Sequence, residues 1–95
     1  MIPLELAMKA LTILARNPEL IGRLCDYIGE MPNIEMKTMG GLVWWEDLVN
    51  VEGWRVQRNK LFGNCRILDP NNVRKAWGGE EVIVGAFQRL LDNYK

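Results

Sequence analysis

A chain of 95 residues that is 48% hydrophobic and 25% charged, with a formal net charge of zero, lacks the composition of a disordered tail. It contains no histidine, which removes the commonest general base, the commonest transition-metal ligand and every Ser-His or Cys-His nucleophile pair. The two cysteines, Cys25 and Cys65, have no CxxC spacing and read as buried free thiols.

The first predicted element is a helix over residues 3–16. Glu5, Lys9, Thr12 and Arg16 form one narrow polar stripe at helical spacing, and the rest is apolar. Asn17-Pro18-Glu19 then supplies an N-cap, a first-turn proline and a first-turn acid for a second helix over 18–29. The short break between them predicts an antiparallel αα-hairpin at the N-terminus. The apolar arc of the first helix exceeds what one core face requires, so a homodimer is expected to cover it, with Leu6 and Ile13 as outward positions.

Met31-Pro32-Asn33 ends the second helix, and Gly40-Gly41 marks a turn. The aromatic and β-branched run that follows predicts a third strand at 42–45, leading into a helical turn through Leu48 and Val51. On a strand, the adjacent Trp44 and Trp45 point to opposite faces, which makes them candidate binding residues.

The segment from Trp54 to Leu68 predicts a β-hairpin with strands 54–59 and 64–68. Asn59 pairs with Asn64, the loop is 60–63, and Gly63 takes the position with positive φ. In that register Val56 opposes Ile67 and Arg58 opposes Cys65. One face carries Trp54, Val56, Arg58, Cys65 and Ile67. The other carries Arg55, Gln57, Asn59, Asn64, Arg66 and Leu68. A slip of one residue would scatter both sets.

Asp69-Pro70 predicts a further short helix at about 70–77, ended by Gly78-Gly79. Glu80 and Glu81 open a last helix that runs to about Asn93, where Gly85 allows close helix packing. The chain is thus expected to be one α+β domain, 1–95, with an N-terminal helix pair, a small antiparallel sheet and two C-terminal helices.

Charge is unevenly placed. Residues 1–52 carry a net −4, residues 53–79 a net +5 and residues 80–95 a net −1. The basic segment nominates Arg55, Gln57, Arg58, Arg66, Arg74 and Lys75 as binding residues for an anionic partner. No phosphate loop, zinc-finger spacing, calcium loop or RNP-type aromatic pair is present. No metal and no cofactor is expected. Glu46-Asp47 and Glu80-Glu81 are neighbours in sequence, and neighbours do not face each other on a helix.

Glu5 and Lys9 spoil a secretory signal, and the apolar runs fall short of the roughly 20 residues that span a bilayer. A cytoplasmic location without membrane contact is therefore expected. The leading functional expectation is a small non-enzymatic protein acting through protein association, including self-association. A nucleic-acid-binding module built on 53–79 is the alternative, and a carboxylate-based enzyme stands third.

Overall fold

A computed structural model describes residues 2–29, 35–39 and 43–94. Three helices cover one side of a five-stranded antiparallel sheet, an α+β arrangement. Helix α1 spans Leu4–Arg16, and a 3₁₀ turn, Pro18–Leu20, leads into α2, Ile21–Ile28. The strands are β1 (Met36–Lys37), β2 (Trp45–Val51), β3 (Trp54–Asn59), β4 (Cys65–Leu68) and β5 (Val73–Gly78). Helix α3 spans Glu80–Asn93. Across the sheet the strands lie in the order β1, β5, β4, β3, β2, so β2 to β5 form a meander and β1 adds to its far edge.

The helices form where their periodicity demands. In α1, Ala7, Ala10, Leu11 and Leu14 are buried, with Glu5 in the first turn and Arg16 in the last to match the helix dipole. In α3, Ile83, Ala86, Phe87 and Leu90 are buried, and Glu80 and Glu81 occupy its positive end. These residues close the core against Val49, Trp54, Val56, Cys65, Ile67 and Ala76 of the sheet's inner face.

The helix pair differs from expectation. Helices α1 and α2 each pack on α3, instead of forming a hairpin whose main partner is the other helix, and α1 also crosses β2 and β3. Its wide apolar arc is thereby used within the chain. Leu6 and Ile13 are half-buried and pack on the core, so they are not outward positions. Leu4 and Met8 are the exposed apolar residues of α1. Gly85 is exposed, and a Cβ placed there meets nothing, so it serves no close packing.

The central hairpin has the expected register. Val56 pairs with Ile67 and Arg58 with Cys65. The Asn59 N–H donates to the Asn64 carbonyl at 2.8 Å, and Gly63 has φ +76°. The Asn59 side chain serves the loop, accepting the N–H groups of Leu61 and Phe62, each at 2.9 Å.

Two strands replace expected helical segments. The 70–77 helix is instead a tight turn followed by β5. Asp69 caps the turn and not a helix: its Oδ1 accepts the N–H of Asn71 and of Val73, and Asn72 at φ +64° sends the chain back. The strand over 42–45 with a following helical turn is instead β2 at 45–51, which Val43 and Trp44 precede.

Both strands imitate a helix because each contains an extra residue. Asp47 pairs with Gln57 but Val49 with Val56, leaving Leu48 bulged. Ile67 pairs with Ala76 but Leu68 with Arg74, leaving Lys75 bulged. A bulge shifts the phase of alternation, so apolar residues three apart, such as Leu48 and Val51, reach the same core. The expected features at 31–33 and 40–41, and residue 42 of the expected third strand, lie outside the described residues.

Candidate functional site

Among the described residues, the sheet's outer face carries no helix. Antiparallel register aligns its side chains in rows across the strands, about 4.8 Å per strand. One row holds Asn50, Arg55, Leu68, Arg74 and Met36. The next holds Asp47, Gln57, Arg66 and Trp77, and Trp45 and Asn59 lie beyond it. Three of these residues are arginines, and Asp47 is the one carboxylate in the rows.

This face is roofed by its own side chains. Leu68 and Gln57 both have 0% exposure, although Leu68 lies outside the main core cluster. Leu68 sits between Arg55 and Arg74 in its row, where their aliphatic stems can cover it. Gln57 is on the expected face but under the roof, so it is not a surface contact residue. Its Nε2 donates to Asp47 Oδ1 at 2.7 Å, and its Oε1 accepts from Arg66 Nε at 2.8 Å.

Arg66 is held at two places. Gln57 fixes its Nε, and its guanidinium carbon lies 4.0 Å from the centroid of the Trp45 ring. Among the described residues its two terminal Nη groups have no hydrogen-bond partner, so the fork is oriented while its donors remain available. Burial, then the positive charges of Arg74 and Arg55, push the Arg66 pKa down, and Asp47 pulls it the other way. Arg74 lies over Trp77, 5.2 Å from the ring centroid.

Arg55 does a different job. Its Nε donates to the Gly53 carbonyl at 3.2 Å, and its Nη2 donates to the Asp69 carbonyl at 3.2 Å and to Asn72 Oδ1. It ties the β2–β3 turn to the β4–β5 turn. Its charge still adds to the face.

The other nominated cations are elsewhere. Arg58 is on the inner side near the loop, bound to Glu46 at 2.8 Å through Nε and to Glu80 at 3.4 Å through Nη1. The hydrogen bond that Arg58 donates to Glu46 raises its pKa further. Lys75, the bulged residue, pairs with Glu35 at 2.7 Å and lies 3.9 Å from Asp69. Of the nominated cations, Arg58 and Lys75 are bound by acids, and Arg55, Arg66 and Arg74 share the outer face.

Trp45 and Trp77 belong to that face. Trp44 precedes β2 and is 58% exposed, and its carbonyl accepts the Lys60 N–H at 2.8 Å. This bond brings Val43 and Trp44 beside the loop that carries Leu61 and Phe62, making an apolar end on which Phe62 is 82% exposed.

Arg74 is nominated by its charge alone, while its place on this face, and those of Trp77 and Asp47, are not legible in the sequence. The signal was an outward alternation through residues 73–78 that appears only once Lys75 is allowed to bulge.

On the helical side, a hollow of about 400 Å³ lies between Pro18, Ile21, Glu52, Trp54, Asp69 and Lys75. Its Asp69 is engaged by the turn and its Lys75 by Glu35. Cys25 donates its thiol to the Lys75 carbonyl at 3.3 Å, and burial raises its pKa. Burial pushes the Cys65 thiol up to about 11. Among the described residues no cluster of His, Cys, Asp and Glu could hold a metal, and no helix is long and apolar enough to cross a membrane. In comparisons with known proteins, no family model, no curated protein and no solved structure matches the chain.

Proposed function

We propose that this protein is a non-enzymatic binding module that holds an anionic partner on the open face of its sheet. The observation that carries this reading is Arg66: anchored at Nε by a buried glutamine, stacked on Trp45, and with its terminal donors directed to no other described residue. Such a fork is prepared for bidentate contact with a phosphate or carboxylate, and it loses little freedom on binding. Arg55 and Arg74 enlarge the positive charge, and only Asp47 in these rows opposes it. By contrast Arg58 and Lys75, the other nominated cations, are bound by acids. Its two free thiols favour the reducing cytoplasm as its location.

The test is retention on phosphocellulose near neutral pH. The net charge is zero and the pI about 6.2, so bulk charge gives no reason to bind. The wild type should be retained at low salt and released early when Arg66 and Arg74 are both changed to Gln. A wild type that flows through contradicts the proposal.

Protein association, including self-association, is a second reading, and the apolar end at Val43, Trp44, Leu61 and Phe62 favours it over α1. Light scattering should then give twice the 10.9 kDa chain mass, falling to 10.9 kDa when Leu61 and Phe62 are both changed to Ser. A wild-type mass of 10.9 kDa at high concentration removes self-association.

A further inference from the structure

We infer that the anion received on the sheet is a single-stranded nucleic acid. This rests on the anion-binding reading and narrows it. Three features carry the choice.

The first is shape. The site is one side of a sheet, and among the described residues every helix lies on the opposite side. Entry into the major groove of a duplex needs an inserted helix or ribbon, and neither stands on this face. A single strand can lie along a flat surface and expose its bases to it.

The second is the pairing of arginine with indole. Trp45 and Trp77 are both half-exposed, on opposite sides of Arg66 in the sheet: Trp45 on β2, Trp77 on β5. Bases stack on indoles and on guanidinium planes whatever their sequence, and the same site offers both. The carboxylate side chains of an acidic peptide would use the guanidinium fork but have no ring to place on the tryptophans.

The third is charge. Arg66 and Arg74 occupy adjacent strands, with Arg55 one strand further, so cations recur across the face as phosphates recur along a strand. The number is small, and zero net charge provides no long-range attraction. Affinity should therefore be modest, with a dissociation constant on the order of 10⁻⁵ M at low salt. Contact with two or three phosphates gives a slope of log K on log salt of about −1.4 to −2.

The experiment is fluorescence anisotropy with labelled probes: a short oligothymidylate, its duplex with oligodeoxyadenylate, and a glutamate-rich peptide of equal length. The expected result is binding of the single strand with the stated slope, quenching of tryptophan emission, and weaker binding of the duplex. Trp45→Leu and Trp77→Leu should each weaken the single strand by about five- to a hundredfold, the range for loss of one stacked base. If Trp45→Leu fails to fold, Arg66→Gln replaces it, with a loss of tenfold or more expected. Binding of the peptide but not the oligonucleotide overturns the nucleic-acid assignment and leaves the anion-binding face standing. Equal affinity for duplex and single strand also overturns it. If no probe binds even at about 25 mM salt, where phosphate contacts are strongest, both readings fall.

Discussion

Arg66 lies closer to Trp45 than any other cation to a ring among the described residues, 4.0 Å against 4.5 Å for Arg89 on Tyr27 and 5.2 Å for Arg74 on Trp77. Gln57 beneath it holds the same guanidinium by a 2.8 Å bond. A lysine has no planar fork and no Nε donor to Gln57. Arg66→Lys should therefore lower stability by about 0.5–1 kcal/mol and shorten retention on phosphocellulose, although the formal charge is unchanged. Wild-type retention by the lysine variant would mean that charge alone matters there.

Arg58 provides the matching control. It is also a hairpin arginine, but Glu46 and Glu80 bind it. Arg58→Gln should leave retention unchanged. A loss equal to that of the Arg66 variants would show that anion binding is spread over the whole basic segment.

Gly53 and Gly63 both have positive φ, at +90° and +76°, yet their surroundings differ. A Cβ on Gly53 would come within 2.9 Å of Pro70 Cβ, and one on Gly63 would meet nothing within 4 Å. Gly63→Ala should cost the left-handed strain alone, about 1–2 kcal/mol. Gly53→Ala should add an overpacking cost of about 1–3 kcal/mol, because two turns that Arg55 also joins are pushed apart. Equal urea midpoints for the two variants would contradict the contact between these turns.

Gly85 lies on the exposed side of α3 with open space around it. Gly85→Ala should stabilise by up to about 1 kcal/mol, a rise in melting temperature of a few degrees. A fall would mean that the position is crowded by something outside the chain.

Cys65 makes stability depend on alkaline pH. Its ordinary pKa of 9.0 rises to about 11 in the fold. Below pH 9 both states keep the proton. Between the two values the unfolded chain releases it and the folded chain does not, so stability falls as pH rises. The loss across that window is on the order of 2–3 kcal/mol. Comparing Cys65→Ala with the wild type isolates this slope from the titration of lysines and tyrosines. Identical slopes would contradict burial of the thiol.

The sequence made the middle of the molecule legible and hid its edges. Between Trp54 and Leu68, turn chemistry and alternation agree on one register, and the two faces follow from it. Helices α1 and α3 were legible because each carries an uninterrupted apolar stripe and matching end charges. Strands β2 and β5 were not, because the bulges at Leu48 and Lys75 turn a period of two into a spacing of three. The bulges also divide the candidate site along the sequence. Alternation puts Arg55, Gln57 and Arg66 together, while helical spacing draws Arg74 and Trp77 into a helix, and charge alone groups Arg58 and Lys75 with residues they do not join. The burial of Gln57 has no local signal, since its polar partners, Asp47 and Arg66, come from the two neighbouring strands.

In the proposed function, Arg66 presents its guanidinium to an anion. Nuclear magnetic resonance of the arginine side chains, during titration with the short oligothymidylate, observes that group itself. The Arg66 Nε–H resonance should shift and sharpen together with the indole signals of Trp45 and Trp77, while that of Arg58 stays in place. If Arg66 does not move, or if shifts centre on Lys60 and the loop through Phe62, the open face is not the binding surface.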